Sequence, residues 1–119
     1  MNGLRFRCCT AVLALMLAVS LTGAATASGE AVYGAVKTER VRIDDSRFSP
    51  RVLTISRGTR VRWINDDNLR HTSTSNTDVW DSGTLRTGDS FSRIFRQVGT
   101  FRYHCRIHPE IRGRVVVTA

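Results

Sequence analysis

Methionine is confined to the start of this chain. Met1 and Met16 are the only two, so residues 17–119 contain no thioether. Cysteine is nearly as scarce. Cys8 and Cys9 lie close to the N-terminus, and Cys105 stands alone after them. Of the 18 basic residues only Lys37 is a lysine. No apolar run reaches the roughly 20 residues needed to cross a bilayer as a helix. These shortages exclude several classes. A single cysteine in the body of the chain cannot close an internal disulfide. No segment shows a sustained helical period, which argues against a bundle. The 10 carboxylates are dispersed, with Asp44-Asp45 and Asp66-Asp67 reading as turn residues. No nucleotide-binding loop, hydrolytic triad or paired acid site stands out.

Residues 1–27 read as a cleaved signal peptide. Arg5 and Arg7 form the positive end, Ala11 to Leu21 is a short apolar run, and Ala25-Thr26-Ala27 offers small residues for cleavage. An uncleaved membrane anchor is the alternative. No cysteine stands at the cleavage point, which argues against a lipid anchor there. The expected product is exported to the periplasm, cell surface or exterior, with no membrane span in the mature chain. Residues 28–38 read as a flexible leader, and 39–119 as one domain, since 92 residues suffice for a single core but not for two.

The formal charge of the whole chain is +8. Losing Arg5 and Arg7 leaves an excess of about +6, almost all of it arginine. The arginines are scattered and no nucleic-acid motif accompanies them, so a nucleic-acid partner is not expected. Two readings remain: a field that steers an acidic partner, or a solvated surface.

Short β signals separated by turn residues fill the domain. Val41 and Ile43 alternate with arginines, and Leu53 and Ile55 with Thr54 and Ser56. Arg57-Gly58-Thr59 turns into Val61-Arg62-Trp63, and Asn65 to Asn68 is a loop. His71 to Thr74 resumes extended chain. Phe91 to Phe95 is apolar with an ambiguous alternation. Val98-Gly99 leads into Phe101 to Cys105, and Val115 to Val117 is the closing strand. Seven or eight such strands predict an all-β, antiparallel sandwich.

Alternation along a strand sorts the side chains near the C-terminus. Phe101, Tyr103 and Cys105 share the core face. Arg102 and His104 share the other, so His104 is expected at the surface. His71 and His108 fall beside loops at strand ends, where a rigid sandwich can assemble a site. For Cys105 three roles are open: a small buried hydrophobe, a partner for another molecule's thiol, or a metal ligand. The three-residue spacing to His108 favours the last. Two imidazoles and one thiolate are the donor set of blue-copper electron-transfer sites, although zinc takes the same donors.

With those residues in view, the chain resembles the small cupredoxins of the plastocyanin, amicyanin and pseudoazurin group. The resemblance runs from about residue 39 to 118. It passes through Phe48-Ser49-Pro50, Gly58-Thr59, Val61 to Asn65, His71-Thr72, Asp81-Ser82-Gly83, Gly88 to Phe91, Gly99 to Phe101, Tyr103-His104-Cys105, His108-Pro109 and Gly113 to Val117. It implies a Greek-key β-sandwich binding one copper ion at one end. His71, Cys105 and His108 match the equatorial ligands, and Asn65 matches a loop asparagine that braces them. Ile111 falls where the family usually carries an axial methionine. The implied function is single-electron transfer, with a near-trigonal site of raised reduction potential. Glu110 is one residue out of register for an axial role, Gln97 is too far from Cys105 along the strand, and the Arg70 carbonyl stays open. The histidine edge is the family's electron port. Here Arg70, Arg106, Pro109 and Arg112 are expected to form a basic rim for an acidic redox partner, with the protein a monomer.

Other readings compete. A copper module for storage, delivery or sensing would use the same three ligands. An enzyme with a second copper, suggested by the adjacent His104-Cys105 pair, needs more histidines than the three present. A metal-free adhesive sandwich would simply bury Cys105.

Overall fold

The computed structural model describes residues 34–119. The expected signal segment, 1–27, and the leader up to residue 33 lie outside the described residues. Residues 34–37 carry no regular structure, and the first strand opens at Thr38. Eight strands follow: β1 (Thr38–Asp44), β2 (Arg47–Ser49), β3 (Val52–Ser56), β4 (Arg60–Asn65), β5 (Thr74–Ser75), β6 (Ser90–Ile94), β7 (Gly99–His104) and β8 (Arg112–Thr118). They form two four-stranded sheets, ordered β2-β1-β4-β6 and β3-β8-β7-β5.

Period-two patterning dictates which faces meet. Val41 and Ile43 of β1, Val61 and Trp63 of β4, Tyr103 of β7, and Val115 and Val117 of β8 are all buried, while the arginines between them are exposed. Trp63 is the hub. Its ring lies 5.5 Å from Tyr103, 5.6 Å from Trp80, 5.9 Å from Phe91 and 6.3 Å from Phe95. Such aromatics contribute more than area alone through edge and tilted contacts.

The sandwich is not wholly antiparallel. β1 pairs with β4 in parallel, and β3 pairs with β8 in parallel. Both arise because the chain changes sheet between the paired strands. It leaves the first sheet after β2, enters the second as β3, and returns as β4 through the turn at Gly58, whose φ of 91° suits glycine. Alternation cannot reveal this, since it reports faces and not neighbours.

The ambiguous stretch at Phe91–Phe95 also has a physical reason. Arg93 sits in the inward row of β6, opposite Val61. Its guanidinium lies 5.6 Å from the ring centroids of both Trp80 and Phe95, and its Nη1 donates to the Val79 carbonyl at 2.9 Å. The stem covers the core edge while the charge stays over aromatic faces.

Strand direction gathers four segments at one end. Thr74 of β5 pairs with His104, the last residue of β7, and His104 pairs with Arg112, the first of β8. The end of β4 joins them through Asn65, whose side-chain amide donates to the carbonyls of Leu69 and Leu85.

Candidate metal centre

At that end, His71, Cys105 and His108 come together, each offering one donor atom within 4.8 Å of the others. Cys105 Sγ lies 3.7 Å from His71 Nδ1 and 3.9 Å from His108 Nδ1. His71 and Cys105 are wholly buried, while His108 is half-buried and reaches the surface.

Each donor is fixed by its own local structure. Cys105 follows β7 directly. Its N–H donates to the Ile111 carbonyl at 3.0 Å, and the Ile111 N–H donates to the His108 carbonyl at 2.9 Å. These bonds close the loop 105–111 on itself. His71 forms a two-way bridge with Leu85, at 3.1 and 2.7 Å.

Behind His71 stands Asp67, with Oδ2 at 2.9 Å from the ring Nε2. The same oxygen accepts the Ser46 N–H at 2.9 Å, and the Asp67 N–H donates to Asn65 Oδ1 at 2.9 Å. The Ser46 amide above all, and then His71, hold the Asp67 carboxyl down to about 2. An ionised carboxylate accepts only, so neutral His71 carries its proton on Nε2 and turns the Nδ1 lone pair to the thiol. From sequence alone Asp67 reads as a turn residue. The signal that would have found it is a carboxylate four residues before a candidate ligand histidine.

Thr72 works in two directions. Its N–H donates to Cys105 Sγ at 3.3 Å, a contact suited to a thiolate. Its hydroxyl accepts the Arg106 N–H at 2.8 Å and lies 2.9 Å from Thr74 Oγ1. Thr74 donates on to Asp81 Oδ1 at 3.3 Å, and Asp81 Oδ2 pairs with the Arg106 guanidinium at 3.1 Å. The circuit therefore leaves Arg106 by its backbone and returns by its side chain.

Ile111 is buried, 5 % exposed, at the foot of the loop. Asn65 is fully buried beneath the 65–69 loop. Arg70, Arg106, Pro109 and Arg112 are exposed; Arg106 is held by Asp81, and Arg112 Nε donates to the Pro109 carbonyl at 3.1 Å. Gln97 lies in the β6–β7 connection, at the opposite end of β7 from Cys105. His104 faces away from the cluster, as alternation requires. It is half-buried instead of exposed, because Asn76 covers it with Oδ1 at 2.6 Å from Nδ1.

The donor set suits copper. A soft thiolate favours Cu(I) and imidazole accommodates Cu(II), and burial of the sulfur shields it from water and other thiols. The family model described as a cupredoxin-like domain matches residues 11–117. The chain belongs to the cupredoxin-like family. Copper is the cofactor of that family, and among the described residues of this cupredoxin the His71, Cys105 and His108 cluster is the group able to hold it. Amicyanin-alpha of Methylorubrum extorquens is 30% identical, covering 98% of this chain and 99% of its own. Among solved structures, a novel purple cupredoxin from Nitrosopumilus maritimus is 31% identical with a TM-score of 0.63, covering 66% of this chain and 98% of that one. A Cu-containing nitrite reductase (NirK) from Thermus scotoductus is 28% identical with a TM-score of 0.63, but the match spans only 22% of that chain.

Proposed function

We propose that this cupredoxin is an exported carrier of single electrons, holding one copper ion between His71 Nδ1, Cys105 Sγ and His108 Nδ1 without an axial thioether. The observation that carries the reading is a three-donor cluster in which Asp67 braces His71 and the Thr72 N–H meets the Cys105 sulfur, with two donors buried and His108 reaching the surface. Bound copper supplies a one-electron couple between Cu(I) and Cu(II). The residues do the rest. Asp67 fixes the His71 ring, the Thr72 N–H offsets charge on the sulfur, and the closed 105–111 loop limits movement of His108. A site that moves little between oxidation states exchanges electrons with little reorganisation.

His108 is the exit toward a partner, with Ile107 and Pro109 exposed on either side. Arg70, Arg106 and Arg112 give this end a basic rim that favours an acidic redox protein. We read the chain as a carrier and not an enzyme: His104 is turned to Asn76, so the three histidines supply ligands for one centre only. The N-terminal pattern supports export to the periplasm or exterior.

A second reading is copper storage, delivery or sensing. The buried Ile111 favours it, since a site without a fourth donor holds Cu(I) more readily than Cu(II). Voltammetry of the copper-loaded chain separates the two. A carrier gives a reversible one-electron wave. Copper that stays Cu(I) against mild oxidants would move the assignment to storage or delivery.

A further inference from the structure

One outer face of the sandwich, running from Arg112 along β8, carries a local conflict. On the outer side of the β3-β8-β7 sheet, Arg102 lies directly opposite Arg114. Like charges in that position are about 5 Å apart at the backbone and destabilise the pair. Arg112 follows two residues along the same face of β8, about 7 Å on, and Arg51, the residue before β3, lines the same hollow. These four side chains and Asn76 line a concavity of about 440 Å³. All four arginines are exposed. Among the described residues the ion pairs involve Lys37, Arg42, Arg47, His71 and Arg106, and none involves these four. Glu110 shares the neighbouring cleft with Arg51 and Arg112 and forms no ion pair with either.

An unrelieved like-charge pair is a cost that folding alone does not explain; such conflicts between local chemistry and stability mark functional surfaces. We propose that this groove docks an extended acidic segment of a protein partner, whose carboxylates pair with Arg102, Arg114, Arg112 and Arg51. Successive outward side chains of a strand are also about 7 Å apart, so an extended chain with an acid at every second position meets the spacing along β8. Guanidinium forks hold carboxylates in two-point contacts. Single-stranded nucleic acid fits less well, because it needs aromatic side chains to stack on. Among the described residues the exposed large apolar side chains are Val36, Val52, Leu69, Val79, Val98 and Ile107, none aromatic. A bilayer surface fits less well because the arginines surround a hollow. The groove deepens the partner reading given above and rests on it: Arg112 belongs both to the groove and to the basic rim, so one acidic partner spans both.

The test is titration of the isotopically labelled exported chain, kept reduced so that bound copper is diamagnetic, with a ten-residue Glu-Ser repeat peptide. The proposal expects amide shifts centred on Arg102, Arg114 and Val52. It expects an R102E/R114E variant to bind about tenfold more weakly or worse. An R60E/R62E variant, altered on the other sheet, should bind as the parent does. Arg102→Glu alone should raise the melting temperature, by turning a like pair into an opposite one, which separates lost docking from lost folding. Shifts centred elsewhere, or undiminished binding by R102E/R114E, overturn the proposal. So does a groove that takes tripolyphosphate or phosphatidylglycerol vesicles and ignores the peptide. Because the readout needs no electron transfer, a failed groove leaves the copper couple intact, and a failed couple leaves the titration unaffected.

Discussion

Asp67 and His71 are joined by a 2.9 Å contact between a carboxylate oxygen and Nε2, and that contact directs the opposite nitrogen of the ring at Cys105 Sγ. The two residues lie four apart in a loop whose backbone is itself tied down by Asn65. Partners placed behind a ligand imidazole raise its basicity and fix its tautomer.

Asp67→Ala should therefore weaken copper binding by about 10–100-fold, the usual cost of losing such a partner. Competition against a Cu(I) chelator measures it. An unchanged affinity would mean that the Asp67 contact plays no part in holding the ring.

Ile111→Met should lower the reduction potential, because an added weak donor stabilises Cu(II) relative to Cu(I). Voltammetry of the parent and variant decides the point. A potential that stays put or rises would show that residue 111 does not face the copper.

Thr72→Val keeps the shape and removes the hydroxyl that accepts the Arg106 N–H. Leaving that donor without a partner should cost about 1–3 kcal/mol in denaturant unfolding. A loss below about 0.5 kcal/mol would mean that water replaces the hydroxyl at no cost.

Gly113→Ala would set a methyl carbon 2.6 Å from both Tyr103 Cζ and its hydroxyl oxygen. Tyr103 is 1 % exposed and packed against Phe48 at 4.6 Å, so its ring has nowhere to withdraw. Overpacking of this kind costs about 1–3 kcal/mol, visible as a lower unfolding midpoint. Unaltered stability would mean that β7 and β8 can separate locally.

Stability of the metal-free protein should also depend on Asp67 at acid pH. Its folded carboxyl is depressed from 3.8 to about 2, first by the Ser46 amide and then by His71. A depressed carboxyl stabilises the fold above its unfolded value, and that contribution is lost as pH falls through the folded one. Thermal unfolding of the parent should weaken between pH 3.8 and about 2 more steeply than that of Asp67→Asn. Parallel curves for the two proteins would contradict the assignment.

Much of the site was legible because it depends on short-range rules. Alternation alone puts Cys105 inward with Tyr103 and turns His104 outward, and the three donors named from residue type, the Cys105–His108 spacing and the family resemblance are those that the strand ends bring together. What stayed hidden depends on tertiary placement. Asp67 reads as a turn residue because its neighbours Asp66 and Asn68 are turn formers, and its role appears only once Ser46 and His71 converge on it. Thr72 enters the sequence reading only as the neighbour of His71; its hydroxyl matters because Arg106, 34 residues later, donates to it. The parallel pairings of β1 with β4 and β3 with β8 leave no trace in a periodicity of two. The Arg102–Arg114 pair is invisible until register is known.

The most direct test of the account is the visible absorption and EPR spectrum of residues 28–119 loaded with Cu(II). Thiolate and imidazole donors on one copper predict an intense visible band with narrow copper hyperfine splitting, both lost in Cys105→Ser. A chain that binds no copper, or a spectrum unchanged by Cys105→Ser, would contradict the assignment of His71, Cys105 and His108 as its ligands.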